Sequence, residues 1–166
     1  MSISRAILAE FLSDAANTRK LLEVVPEDKL GWKPHEKSMT LARLSGHIAE
    51  IPGWAQTMVG KDELDFESGN FQPATPETVA DLLATHDASV AAFRKALEGA
   101  SDETLARPWK LRNGEHVYFE LPCAAALRGF VLNHVVHHRG QLSVFLRLQD
   151  VALPQVYGPT ADNPSF

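Results

Sequence analysis

The densest chemistry in the chain lies in Asn133, His134, Val135, Val136, His137, His138, Arg139, Gly140 and Gln141. On a helix, at about 100° per residue, His134 and His138 stand one turn apart on one face, and His137 is turned away. The spacing predicts an inward seam of Leu127, Val131, His134, His138, Gln141, Phe145 and Leu148. Two imidazoles and a carboxamide then occupy positions that an apolar core would fill with leucine. Burying an unpartnered imidazole costs roughly 1–3 kcal/mol. The pair either ligates a divalent ion, for which neutral imidazole is an ordinary ligand, or is a hydrogen-bonded core pair, or lines a polar cavity. A metal needs a third donor. His47 lies between Leu44 and Ile51 on an apolar face, and His86 lies in an apolar seam of its own. Each reads equally as a satisfied core histidine. His35 and His116 are expected at the surface or rim, and His137 toward a neighbouring helix or a partner chain.

The supporting residues are few. Gln141 is one turn beyond His138, placed to orient a bound water or ligand or to cap a polar pocket. Arg139 is expected on a solvated helix face and Glu50 at the surface, although Glu50 is one turn from His47. Cys123 is expected as a packed helix residue. No His has a Glu three residues before it, so the carboxylate di-iron pattern is missing. There is no H-E-x-x-H and no glycine-rich phosphate loop.

Several elements must position these groups. A first helix is predicted over about 4–25, ended by Pro26, with a polar loop over 27–39. A second helix follows from about Thr40 toward Val59, capped by Thr40 or Ser38 and kinked near Pro52 and Gly53. Residues 60–74 read as a polar loop. A third helix is expected to start at Thr75 as N-cap, with Pro76 in its first position, and to end at Gly99. Its seam is Val79, Leu83, His86, Val90, Phe93 and Leu97. Residues 107–118 read as a hairpin turning at Asn113-Gly114, with Arg112 opposite Glu115 and Trp109 opposite Tyr118. A long helix from about Pro122 to Gln149 and a proline-rich tail complete the chain. The fold class is all-α: a four-helix bundle in one domain over 1–166, with a small β-hairpin before the last long helix.

Composition narrows the function classes. The formal charge of −5, without a Lys/Arg cluster, disfavours nucleic acid and anionic membrane surfaces. No apolar run of 18 residues is present, and Glu10 and Asp14 interrupt the N-terminal apolar pattern. A cytoplasmic protein is therefore expected. A single cysteine precludes an internal disulfide and any CxxC site.

At this point the sequence resembles the DinB-like (DinB/YfiT) metalloenzyme family. The matching residues are Trp32, Lys33 and Pro34, then Ser38, Thr40, Leu41, Leu44 and His47. The run His134, His138, Arg139, Gly140, Gln141 is the most specific part, followed by Tyr157, Gly158, Pro159, Ala161 and Asp162. The resemblance implies a four-helix bundle with crossed connectivity and a three-histidine site for a divalent ion, zinc or nickel. It places the ligands on His47, His134 and His138 and leaves His86 and His137 outside the set. It also implies a homodimer.

Three protein ligands leave a coordination position open, as in catalytic sites. The resemblance favours a thiol S-transferase-like activity, in which a low-molecular-weight thiol attacks a small electrophile. Relatives in that family use bacillithiol, and one is a mycothiol-dependent maleylpyruvate isomerase. Metal-dependent hydrolysis, and a stress protein that binds a metal or small ligand without turnover, are the alternatives.

Overall fold

A computed structural model describes residues 2–69 and 72–165. The chain is mostly helical. Helix α1 spans Ile3–Glu23, with Ser2 accepting at its N-terminus from the Arg5 N–H. Its buried face carries Ile7, Phe11, Ala15, Thr18, Leu21 and Leu22, close to the predicted helical spacing. Phe11 stacks on Phe93 with ring centroids 3.7 Å apart, joining α1 to α4 (Val79–Glu98). Helix α2 is Leu41–Glu50, and Thr40 caps it by accepting from Arg43 N–H at 3.1 Å. The preceding loop satisfies two more helix-start donors, Leu41 N–H to Trp32 O and Ala42 N–H to Leu30 O.

Where a kink was expected, Ile51–Trp54 forms a 3₁₀ turn that leads into α3, Ala55–Gly60. Pro52 lacks the donor needed for the α-helical ladder, and the tighter turn absorbs that loss. The Arg107 guanidinium donates to the carbonyls of Met58, Val59 and Lys61, closing the C-terminal end of α3.

Helix α4 begins three residues later than expected. Its N-cap is Thr78, which accepts from Asp81 N–H and donates to the Asp81 carboxylate at 2.7 Å. That reciprocal pair competes successfully with Thr75-Pro76. Residues 74–76 cross α2 instead: a Cβ at Gly46 would stand 2.5 Å from Ala74 O and 2.7 Å from Pro76 Cδ. Gly46 thus permits the close crossing. Leu82, His86, Phe93 and Leu97 are the buried face of α4, and Gly99 is its C-cap as expected. After it comes the short α5, Asp102–Ala106.

The strand region differs from the expected isolated hairpin. Strands β1 (Glu63–Asp65), β2 (Pro108–Asn113) and β3 (His116–Pro122) form a sheet in the order β1-β2-β3. Strand β1 lies in the segment expected to be loop; residues 70 and 71 of that segment fall outside the described residues. It pairs parallel with β2, Leu64 opposite Leu111. The β2–β3 pairing is antiparallel, but Asn113 faces His116, Arg112 faces Val117 and Trp109 faces Leu121. The turn is therefore Gly114-Glu115. Gly114 takes φ +58°, where a side chain is strained. Asp65 Oδ1 accepts from Gly114 N–H at 3.0 Å, which ties the turn to β1 and sets it one residue later than expected.

The last helical segment is not continuous α-helix. Helix α6 (Cys123–Leu127) passes through a π-turn, Arg128–Leu132, into α7, Asn133–Arg147. A π-turn admits one extra residue and rotates the next helical segment around the axis. The buried stripe after it is Val135, His138, Arg139, Leu142 and Leu146. The predicted seam is displaced accordingly: His134 is half-buried, Gln141 is exposed and Leu148 is 56% exposed. Cys123 is buried, with its Sγ on Met58 O.

Arg139 was expected in solvent and is 3% exposed. Its guanidinium donates to Asp14 O, to Thr18 Oγ1 at 3.1 Å and to the Tyr157 hydroxyl, which in turn donates to Asp14 Oδ1. The tail is fastened a second time by the Arg147–Asp162 ion pair, and Asp162 also accepts from Leu153 N–H. No helix among the described residues is long and apolar enough to cross a membrane.

Candidate metal centre

Helix α2 brings His47 to its last turn, and α7 brings His134 and His138 on successive turns. Across the interface the His47 ring lies 5.1 Å from that of His134 and 4.8 Å from that of His138, while the α7 pair are 4.7 Å apart. One ligand atom from each residue lies within 4.8 Å of the other two. His47 and His138 are buried.

Hydrogen bonds occupy one nitrogen of each ring. His47 Nδ1–H donates to Glu50 Oε1 at 2.8 Å, His138 Nδ1–H to Gln141 Oε1 at 2.7 Å, and His134 Nδ1–H to Phe130 O at 3.3 Å. Each Nδ1 is engaged by an acceptor on its own helical segment, which leaves Nε2 as the ligand atom of each ring. Acceptor-held imidazoles with one free nitrogen are how proteins orient histidine ligands. Burial, followed by the neighbouring charges of His138 and His47, pushes His134 down to about 4. Burial also lowers His138. Both rings are therefore neutral near pH 7, the state a metal requires.

Glu50 is the residue the sequence undervalued. One carboxylate oxygen takes His47 Nδ1–H and Arg43 at 3.1 Å, and the other accepts from Ala74 N–H at 2.6 Å. Its three-residue spacing from His47 was the available signal. Gln141 is exposed, and its oxygen accepts from His138.

His86 stands apart, 2% exposed, beside a void of about 10 Å³ lined also by Asp14, Thr18, Pro52 and Val135. Its Nδ1 lies 3.4 Å from Asp87, its Nε2 has no partner, and burial lowers its pKa. His35, His116 and His137 are exposed, although the His137 ring lies 4.8 Å from His138.

A cavity of about 470 Å³ opens onto His47 and His134. Its other walls are Trp54, Thr57, Met58, Leu64, Asp65, Phe66, Gly69, Trp109 and Phe130, drawn from α3, the sheet, the adjoining loops and the π-turn. Only the folded chain assembles these residues, which share no sequence motif.

The DinB superfamily model matches residues 10–142. The chain is 26% identical over 157 residues to the uncharacterized protein YrdA of Bacillus subtilis, covering 92% of this chain and 86% of that one. It is also 26% identical over 147 residues to the uncharacterized protein YjoA of the same organism, covering 89% and 91%. A crystal structure of a DinB-like protein from Bacillus cereus superposes with TM-score 0.70 at 24% identity, covering 90% of this chain and 95% of that one. That of YjoA, a DinB-like protein, gives TM-score 0.68 at 19% identity, covering 97% and 99%.

Proposed function

The chain belongs to the DinB superfamily, and from that premise we propose that it is a single-domain four-helix bundle of the DinB/YfiT type with a catalytic divalent-metal centre on His47, His134 and His138. The observation that carries this reading is the convergence of three imidazoles from two helices, each with Nδ1 engaged and one ligand atom of each within 4.8 Å of the others. Bound zinc or nickel would supply Lewis acidity, lowering the pKa of a thiol or of water at neutral pH.

The chain's own residues do the rest. Glu50 and Gln141 fix the ring tautomers, Arg43 offsets the Glu50 charge, and the aromatic walls of the cavity keep water from the reacting groups. The favoured reaction is transfer of a low-molecular-weight thiol to a small electrophile, supported by the open side of the site facing a cavity rather than a fourth protein ligand. Hydrolysis uses the same residues and is the alternative; a binding protein without turnover is the other.

Metal content of untagged protein tests the centre. Near one equivalent of zinc or nickel per chain is expected, falling to background in the His47→Ala, His134→Ala, His138→Ala triple variant. A metal-free wild type that takes up neither ion sinks the reading. Glu50→Gln keeps the shape but weakens the acceptor that orients His47, so zinc affinity is expected to fall roughly 10- to 100-fold in competition titrations.

A homodimer belongs to the same proposal. It is supported by the stripe Val136, Gly140, Val144 and Leu148 on the outer side of α7, where Val144 is 57% and Leu148 56% exposed. Sedimentation equilibrium is expected to give two chains per particle, and Val144→Glu with Leu148→Glu to give one.

A further inference from the structure

The cavity beside the histidines has a chemistry of its own. Trp54 stacks on Phe130 at 5.1 Å, and Phe130 lies 6.3 Å from Trp109 and 5.8 Å from His134, so an aromatic wall runs from the sheet to the candidate ligands. Met58 and Leu64 complete the apolar lining, and Phe66, 41% exposed, stands at the mouth. At about 470 Å³ the space falls within the range of small-molecule sites.

Its charges are already spent. No Lys or Arg lies among the described lining residues. The single carboxylate among those residues, Asp65, accepts from the Gly114 and Glu67 N–H groups and pairs with Arg112 at 2.9 Å. An anion in the cavity finds no cation and meets the Asp65 charge. A strongly hydrated cation such as a primary ammonium finds no free carboxylate and loses more hydration than the aromatic faces return. Burial of a charge without a partner is the costliest way to fill such a site.

We propose that this cavity binds an uncharged aromatic small molecule, as the body of the electrophile presented to the three-histidine centre, and rejects charged ligands of the same shape. The assignment of the guest as an electrophile rests on the metal-centre reading; the selectivity of the cavity does not.

The test uses the full chain stripped of metal, so that no carboxylate can bind through an ion. Three probes share one ring system: 2-naphthol, 2-naphthoate and 2-naphthylmethylammonium, titrated by calorimetry at pH 7.5. 2-Naphthol is expected to bind at least tenfold more tightly than either charged probe. Thr57→Trp, which fills the cavity from α3, is expected to weaken 2-naphthol at least tenfold. Leu64→Lys is expected to shift the ratio of affinities toward 2-naphthoate at least tenfold.

The inference is overturned if a charged probe matches or exceeds 2-naphthol, if none binds, or if 2-naphthol binds Thr57→Trp as it binds the wild type. A chain that binds 2-naphthol but holds no metal sinks the metal-centre reading alone. One that holds metal but not 2-naphthol sinks the cavity assignment alone.

Discussion

Replacing Arg139 with Met is expected to destabilise the fold by about 3–5 kcal/mol, the range for removing one member of a buried ion pair. For a chain of this size that is a fall of about 2–4 °C in Tm for each kcal/mol. The reason is the number of groups one guanidinium serves. Removing it leaves Asp14 O and Thr18 Oγ1 without their donor, and leaves the Asp14 carboxylate, only 20% exposed, held by the Tyr157 hydroxyl alone. The tail also loses an anchor to α7, so residues 151–163 should become sensitive to proteolysis at temperatures where the helices persist. Met retains most of the side-chain volume, which separates the two possible causes. If urea unfolding shows Met nearly as stable as Arg while Ala is not, packing and not pairing holds the helix in place.

Zinc at about 1,000 times its Kd is expected to raise the unfolding free energy by about 4 kcal/mol, and His134→Ala to abolish that gain. The metal-free chain should carry a pH signature of the same residue. Folding holds His134 near 4, against its ordinary 6.5, so the unfolded chain binds the proton more readily. The stability contributed by keeping that ring neutral is complete above pH 6.5 and is lost progressively as pH falls from 6.5 toward 4. His138 is displaced in the same direction and adds to the slope. Urea unfolding of chelator-treated protein from pH 7.5 to 4 measures it. His134→Ala should flatten the profile; an unchanged slope would assign the acid sensitivity elsewhere, His86 being the next buried imidazole.

The helices were legible because their signals are local. Apolar spacing marks α1, Thr40 marks the start of α2 and Gly99 the end of α4. The three histidines were legible because His134 and His138 share a face at any regular helical pitch, and because His47 belongs to a motif. The features that escaped depend on long-range partners. The π-turn has no residue signature in Arg128–Leu132, so the seam was drawn one position out and Arg139 was placed in water. Strand β1 is three residues long and exists because β2 lies beside it. Thr75 and Thr78 are comparable caps in isolation; the Asp81 carboxylate and the crossing at Gly46 choose between them.

The π-turn also bears on how this chain tolerates change in length. An insertion or deletion in a surface loop is ordinarily absorbed where it occurs. Removing one residue from Arg128–Leu132 would let the segment relax to regular α-helix and leave α7 facing much as it does, since four residues of α-helix turn about as far as the five of the π-turn. Removing one residue from α6 with the π-turn kept would instead turn His134 and His138 together by about 100°, away from His47, with every side chain of the cluster still present. In drift among related chains, this short span should therefore be the place where the last helical segment gains or loses one residue, while α6 beside it keeps its number.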